Sequence, residues 1–317
     1  MTSLLLQAVL PLFLLLGAGG LFQRRGLLSE EGEKTLLKLT FNLFLPALIL
    51  DKLIGSEAAR TLSTVVQAGL LGAFASLGGI ALAYGWARLL RLNTGSGRRT
   101  FAILAGTHNY GFLAIPVIAG LYPSAETLAV NFTFALACEA TLWSAGVILL
   151  SGRLTSPWKH LVNGPILAIC AGLLLNALRF DLIEPAFLKG FFGMLGQCAI
   201  PVGLLLVGAN IASFLQEHSL AGLLRPWKVT ASGLLLRLAL IPLTLVGLTC
   251  LLRPTQALLE VMSVQAAMPS AVIPVMLAKH YGGHTKTAVQ VVVATTGASL
   301  VTIPLTVPLL RGWLGLT

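Results

Sequence analysis

The stretch THNYGFLAIP, residues 107–116, lies inside a segment that is otherwise apolar enough to cross a membrane. His108 and Asn109 are polar, and Gly111 weakens a helix. Pro116 removes a backbone N–H and clashes with the carbonyl four residues earlier. Backbone groups freed in this way cannot face lipid, and they are tolerated only where protein or a water-filled cavity satisfies them. The stretch therefore predicts a broken membrane helix with a polar site at the break.

The composition of the whole chain indicates a membrane protein with many spans. Of its 317 residues, 56% are hydrophobic and 10% are charged, whereas soluble domains carry about 25% charged residues. Ten apolar runs have the length of about 20 residues that spans roughly 30 Å of hydrocarbon, and short connectors leave no soluble domain. The runs lie at approximately 4–22, 37–54, 64–87, 100–121, 125–150, 161–178, 189–211, 229–251, 256–279 and 286–310.

Lysine and arginine are unevenly distributed between the two ends of these spans. Fourteen fall on one side and six on the other. Because cytoplasmic loops carry the excess of basic residues, we expect the first side to be cytoplasmic. Both termini are then extracytoplasmic, and the chain is a multi-pass protein of the cell (inner) membrane. The residues on the predicted cytoplasmic side are Arg24, Arg25, Lys34, Lys38, Arg88, Arg91, Arg98, Arg99, Arg153, Lys159, Arg225, Lys228, Lys279 and Lys286.

The two halves of the chain resemble each other. The fourth and ninth spans both contain Ile-Pro-Val, and the second and seventh both carry a central proline. These prolines are separated by 158 residues (Pro116 to Pro274) and by 155 residues (Pro46 to Pro201). The offset maps the first five spans onto the last five. Because five is an odd number, the second half enters the membrane in the opposite orientation, as an inverted repeat.

Inverted repeats with broken helices are typical of secondary transporters, whose sites lie near the bilayer midplane. We predict an all-α integral membrane protein of ten transmembrane helices, in repeats at 1–155 and 156–317. The second halves of spans four and nine aim helix N-termini at the midplane, which favours an anion. The predicted substrate-binding residues are Asn109, Gly111, Pro116, Asn131, Gln265, Pro269, Ser270 and Pro274.

Glu139 is the one acid placed well inside a span, and Arg237 lies in span eight. Ionising a carboxyl group in hydrocarbon is costly, so an intramembrane acid is a functional hypothesis. Glu139 either carries a coupling proton or cation, or pairs with Arg237 and holds spans five and eight together. Arg237 either binds a carboxylate through two parallel hydrogen bonds or is the structural partner of Glu139. Both residues are candidates for ion coupling, and the sequence leaves the alternatives open.

Four segments together resemble the auxin efflux carrier family, which includes plant PIN-FORMED proteins and bacterial organic-acid permeases. The most specific is VQAAMPSAVIPVMLAKHYGGH at 264–284, and NYGFLAIP at 109–116, ACEATLWS at 137–144 and RLALIP at 237–242 occur in the family's order. The similarity runs across essentially the whole chain. The long cytosolic loop of the larger plant members is absent, which favours a compact prokaryotic-type member.

The resemblance implies two structural units and a mode of transport. It implies a scaffold at 1–60 and 161–215, which forms a homodimer, and a transport domain at 64–152 and 228–311. It places Glu139 where plant members have an uncharged amide residue. We therefore expect a secondary active carrier that moves a small organic anion by elevator-like alternating access, with symport of H+ or Na+.

Other functions are less consistent with the residues. A sodium- or proton-coupled antiporter of the same fold, with a cation as main cargo, is the alternative, but the crossover contains no acid. No P-loop, HExxH motif or repeated pore motif is present, so we predict no enzyme and no cofactor. The four cysteines lack metal-ligand spacing, and no metal site is predicted. Apart from membrane lipid the basic residues require no partner, and no nucleic acid is expected.

Two further expectations concern packing and the cavity wall. Asn42, near the central proline of span two, is expected to line the scaffold side of the substrate cavity. Four glycines of span three are expected to let neighbouring helices approach closely, because small residues permit backbone contact in membranes. They are Gly69, Gly72, Gly78 and Gly79.

Overall fold

The computed structural model shows an all-helical bundle, with no strand among the residues that it describes. The predicted boundary between the repeats at 155–156 lies outside the described residues, as do Lys159 and Arg225. The described residues are 2–93, 96–153, 162–217 and 227–316.

Long apolar helices dominate this part of the chain. Five helical stretches are long and apolar enough to cross a membrane, and they lie at Leu62–Leu89, Ala125–Ser151, Ala186–Gln216, Trp227–Leu252 and Thr285–Trp313. The third stretch combines the consecutive helices named α9 and α10 below. Shorter apolar helices accompany them, so the number of ten spans stays a prediction. The helices are α1 (Thr2–Arg24), α2 (Glu30–Leu39), α3 (Leu45–Leu53), α4 (Leu62–Leu89), α5 (Ser96–Gly106), α6 (Ala114–Leu121), α7 (Ala125–Ser151), α8 (Gly164–Ala177), α9 (Ala186–Gln197), α10 (Ala199–Glu217), α11 (Trp227–Leu252), α12 (Gln256–Gln265), α13 (Ile273–His280) and α14 (Thr285–Trp313).

Four helical stretches contain a π-helical turn. One joins α2 to α3 at Thr40–Phe44, and the others lie inside α4, α7 and α11 at Phe74–Gly78, Leu142–Gly146 and Leu236–Leu240. A π turn changes the direction of the side chains that follow it, and such turns are frequent at functional sites. Three of the four turns, those that contain Thr40, Trp143 and Arg237, contribute a residue to the functional site or its surroundings, as described below.

Two pairs of helices are separated by interruptions of equal length. Residues 107–113 separate α5 from α6, and residues 266–272 separate α12 from α13. Pro116 and Pro274 lie in the first turn of the second helix of each pair. A missing N–H is tolerated there, because the first amides of a helix have no intrahelical acceptor. Each break therefore precedes its Ile-Pro-Val sequence, rather than occurring at the proline.

Glycines bring α4 and α5 into backbone contact. A Cβ atom on Gly79 would lie 2.3 Å from the carbonyl oxygen of Gly106, and one on Gly106 would lie 2.5 Å from the nitrogen of Ile80. Real Cβ atoms do not approach so closely, so both positions require glycine. This contact holds the end of α5 immediately before its interruption.

The other glycines of α4 agree only partly with the prediction. Gly72 packs closely, since a Cβ atom there would lie 2.3 Å from the carbonyl oxygen of Phe134. Gly69 and Gly78 do not: a Cβ atom on Gly69 meets nothing within 4 Å, and one on Gly78 meets only the ring of Phe74 in the same helix. Close packing thus applies to the two glycines on the face that α5 and α7 cover.

We expect Gly79→Val to lower the thermal stability of the purified transmembrane bundle. The new side chain cannot fit against the Gly106 carbonyl, and overpacking of this kind costs about 1–3 kcal/mol. Gly69→Val introduces the same residue in the same helix with space around it, and it is the matched control. The expected result is a lower unfolding temperature in detergent for the first variant only. Equal unfolding temperatures would show that α4 and α5 can separate without cost.

Candidate functional site

The two interrupted segments cross each other through the backbone. The N–H of Asn109 donates to the carbonyl of Pro269 at 2.8 Å, and the N–H of Ala271 donates to the carbonyl of Thr107 at 3.1 Å. His108 and Ser270, which lie between these two bonds, form an antiparallel bridge. Each segment therefore satisfies backbone groups that the break in the other has freed, as buried polar groups require.

Side chains from neighbouring helices hold the crossing in place. The side-chain amide of Gln265 donates to Asn131 Oδ1 at 2.6 Å and to the carbonyl of Tyr110 at 3.2 Å. The N–H of Ser270 donates to Thr295 Oγ1 at 3.2 Å. Asn131 belongs to α7 and Thr295 to α14, so these two long helices each fix one part of the crossing.

Asn109 also bonds to the residues that lead into α6. Its side-chain oxygen accepts a hydrogen bond from the N–H of Leu113 at 3.2 Å, and its carbonyl accepts one from Ala114 at 3.3 Å. One residue therefore makes the crossing bond to the other segment and fixes the turn that leads into the second half of the interrupted helix.

A cavity lies against the crossing. It contains about 610 Å³ of space free of protein atoms, part of which is open to the outside. One wall comes from the first crossing segment, α6, α7 and the residues before α13. The other wall comes from the turn between α2 and α3, from α3 and from the start of α10. The residues of this second wall are Thr40, Phe41, Leu45, Leu48, Ala199 and Ile200.

The predicted site residues divide into two groups in the structure. Asn109, Gly111 and Pro116 line the cavity, together with Glu139. The others do not line it, and the polar ones among them stabilise the crossing from behind. This second group comprises Asn131, Gln265, Pro269, Ser270 and Pro274.

The scaffold-side prediction for Asn42 is wrong. Asn42 is exposed, and its side-chain amide donates to the carbonyl of Lys38 in the same helix at 2.8 Å. Thr40 and Phe41 line the cavity instead. The π-helical turn that begins at Thr40 sets which of these neighbouring side chains face inward, and the sequence contains no signal for such a turn.

Some residues that line the cavity have backbone N–H groups without a hydrogen-bond acceptor among the described residues. Among the described residues, the N–H groups of Gly111 and Phe112 before α6, and of Val272 and Ile273 at the start of α13, have no hydrogen bond to the protein. All four residues line the cavity. Ile273 is the first residue of α13 and Val272 directly precedes it, whereas Gly111 and Phe112 lie in the turn before α6. The start of a helix carries about half a positive charge. Two such helix starts at one cavity suit the binding of an anion.

Glu139 reaches the same cavity from α7. Its side chain is buried, its carboxylate accepts a hydrogen bond from the indole N–H of Trp143 at 2.7 Å, and the hydroxyl of Tyr110 lies beside it. Trp143 was not predicted, although a residue four positions along a helix lies on the same face. No ion pair in the described part of the chain includes Glu139. The alternative in which it pairs with Arg237 is therefore wrong.

Arg237 lies away from the cavity. Its side chain is fully buried in the π-helical turn of α11, and Nη1 donates to the carbonyl of Gly106 at 3.4 Å. Nε and Nη2 have no hydrogen-bond partner among the described residues. The structure thus brings Glu139 to the predicted substrate residues and leaves Arg237 behind the crossing.

Comparison with known proteins identifies the family. A family model described as "Membrane transport protein" matches residues 4–157 and 153–307. The chain belongs to this family. The resemblance to the auxin efflux carrier family is confirmed, and the coarse function is that of a multi-pass membrane transporter. An uncharacterized transporter from Methanothermobacter thermautotrophicus is 25% identical to this transporter over 313 residues, which cover 94% of this chain and 96% of the relative.

Proposed function

We propose that this transporter is a secondary active carrier for small organic anions. The observation that carries the proposal is a set of four backbone amides, at the start of α13 and in the turn before α6, that have no acceptor among the described residues and belong to residues lining one cavity. An anion bound there would accept the hydrogen bonds that these amides lack, and it would be attracted by both helix dipoles. Among the residues that the structure describes, neither lysine nor arginine lines the cavity. The proposed site therefore uses backbone groups, with Asn109 as the adjacent side-chain donor.

The position of the cavity supports alternating access of the elevator type. One wall belongs to the predicted scaffold at 1–60 and 161–215, and the other belongs to the predicted transport domain at 64–152 and 228–311. Rigid movement of the second unit along the first would expose the cargo to one side of the membrane and then to the other. The equal interruptions before α6 and α13 support the inverted repeat of ten spans that such carriers use.

Glu139 is the proposed coupling residue. Within the described part of the chain it is the one acid in the cavity wall, and no cation pairs with it. A carboxyl group in this position can take up a proton on one side of the membrane and release it on the other. We therefore propose symport of the anion with H+, and Na+ at the same carboxylate is the second coupling ion to test. The predicted homodimer and extracytoplasmic termini belong to the same proposal.

Uptake into proteoliposomes tests the cargo class. The purified transporter is reconstituted, and a panel of labelled mono- and dicarboxylates is offered with and without an inward pH or sodium gradient. We expect saturable uptake of at least one acid, inhibited by the same unlabelled acid and absent from protein-free liposomes. Robust cation flux without uptake of any acid would contradict the proposal and favour the antiporter with a cation as main cargo.

A further inference from the structure

The end of α5 lies inside the protein, where its carbonyl groups cannot reach water. The last carbonyls of a helix have no intrahelical donor, and together they carry about half a negative charge. The carbonyl of Ile103 is satisfied locally, since the N–H and the hydroxyl of Thr107 donate to it at 2.9 and 2.5 Å. The carbonyl of Gly106 is reached instead by Arg237 at 3.4 Å.

The surroundings of Gly106 explain why this donor comes from a distant helix. Gly79 packs directly on the same carbonyl, so no side chain from α4 can enter the contact. The chain after Gly106 turns into the crossing, and the N–H groups of Thr107 and Asn109 donate to the carbonyls of Ile103 and Pro269 instead. Arg237 extends from the π-helical turn of α11 and reaches the carbonyl from the remaining direction.

In the described part of the chain, no counter-ion accompanies this guanidinium. Arg237 is 0% exposed, and no carboxylate among the described residues forms an ion pair with it. Among the described residues, the titratable side chains that interact electrostatically with it include His108 and Cys138, neither of which carries a carboxylate. A buried charge without a partner is costly. The partial negative charge at the end of α5 is the compensating feature that the structure offers.

The second interruption is closed in a different way. At the end of α12, the carbonyls of Val264 and Gln265 accept hydrogen bonds from the N–H groups of Ala267 and Met268 at 2.9 and 3.3 Å. The following backbone therefore satisfies this helix end without any cation. The two crossing segments have similar interruptions, but only the first relies on a charged side chain from another helix.

We propose that Arg237 is a positioning residue that neutralises the carboxyl end of α5 and so holds residues 107–109 in the crossing. It contacts neither the cargo nor the coupling proton. This assignment differs from both roles that the sequence suggests for it. Its effect on the crossing follows from the contacts alone, and only its effect on transport rests on the proposed function.

The structural arm of the test measures amide hydrogen exchange, which needs no cargo. The N–H groups of Asn109 and Ala271 report directly on the crossing, because each bonds to the opposite segment. In Arg237→Met we expect these amides to exchange about tenfold faster, which corresponds to a helix-end charge effect of about 1.4 kcal/mol. Arg237→Lys keeps the charge and is expected to stay close to the wild type. Arg253→Met removes an exposed arginine at the end of the same helix and is the matched control.

The transport arm separates positioning from direct contact. With an anion that the wild type transports, we expect Arg237→Met to lower the uptake rate about tenfold, with an unchanged pH profile and unchanged relative inhibition by a carboxylate and its neutral amide. Arg237→Lys restores the rate. An exchange rate in Arg237→Met equal to that of the wild type would overturn the proposal. So would a changed pH profile, which indicates coupling, or a selective loss of carboxylate inhibition, which indicates contact with cargo.

Loss of folding is separated from loss of positioning by a second variant. Arg237→Gln keeps a donor for the Gly106 carbonyl but removes the charge. If Arg237→Met does not fold, amide exchange and uptake are measured in Arg237→Gln instead. Rates equal to those of the wild type in Arg237→Gln would exclude a role for the charge. Absence of anion uptake in the wild type itself would refute the proposed function and leave the exchange experiment valid.

Discussion

Glu139→Gln is expected to abolish proton-driven accumulation of the cargo while leaving exchange of cargo across the membrane intact. Glutamine has nearly the same shape, and its side-chain oxygen can still accept the hydrogen bond from Trp143 that the carboxylate accepts at 2.7 Å. It cannot bind and release a proton. For one proton per anion, a gradient of one pH unit supplies about 1.4 kcal/mol, or tenfold accumulation. We expect the accumulation ratio of the variant to fall to about one.

The measurement is uptake into proteoliposomes with an imposed pH gradient, followed by counterflow at equal pH on both sides. Glu260→Gln is the control, because Glu260 is a half-buried acid of α12 that accepts a hydrogen bond from Thr127 at 2.6 Å and does not line the cavity. We expect this variant to accumulate cargo as the wild type does. An unchanged accumulation ratio and pH profile in Glu139→Gln would remove Glu139 from the coupling mechanism.

Asn109→Asp is expected to cause the largest loss of anion binding. Aspartate preserves the hydrogen bond from the N–H of Leu113, since its side-chain oxygen accepts it as the asparagine oxygen does. It also places a negative charge in the cavity wall. Two like charges about 4 Å apart repel by roughly 4 kcal/mol at an effective dielectric constant of 20, which lowers affinity on the order of a thousandfold.

The affinity is measured by competition of unlabelled acid at alkaline pH, where the new aspartate is ionised. Asn131→Asp is the matched control, because Asn131 is buried behind the crossing and does not line the cavity. It is expected to lower the yield of folded protein and to leave the affinity of the remaining protein much less affected. The opposite result for Asn109→Asp, with cation binding gained, would identify a cation as the cargo.

Much of the crossing can be predicted from local chemistry. Pro116 and Pro274 cannot continue an uninterrupted helix, and polar residues before each one cannot face lipid. These constraints act over a few residues, so the sequence alone locates both interruptions. The sequence also places Asn109 at the first interruption as a contact for the cargo, whereas its hydrogen bonds to Leu113 and Ala114 appear only in the structure.

The wall of the cavity depends on contacts between distant parts of the chain. Thr40 and Phe41, rather than Asn42, face inward because a π-helical turn sets the direction of α2 and α3. Gln265 and Asn131 look like donors for cargo, yet they bond to each other and stabilise the crossing. The sequence predicts that a polar side chain in a membrane helix needs a hydrogen-bond partner. Which group becomes that partner depends on how the helices pack.

The sequence by itself determined that the chain is helical and membrane-embedded, that two of its helices are broken, and that an acid lies inside the bundle. Each of these follows from hydropathy and backbone chemistry within one segment. Only the tertiary structure decided that Glu139 faces the cavity and that Arg237 caps the end of α5. The physical reason is that electrostatic interactions of buried charges depend on distances between helices, and those distances are set by packing such as the contact of Gly79 with Gly106.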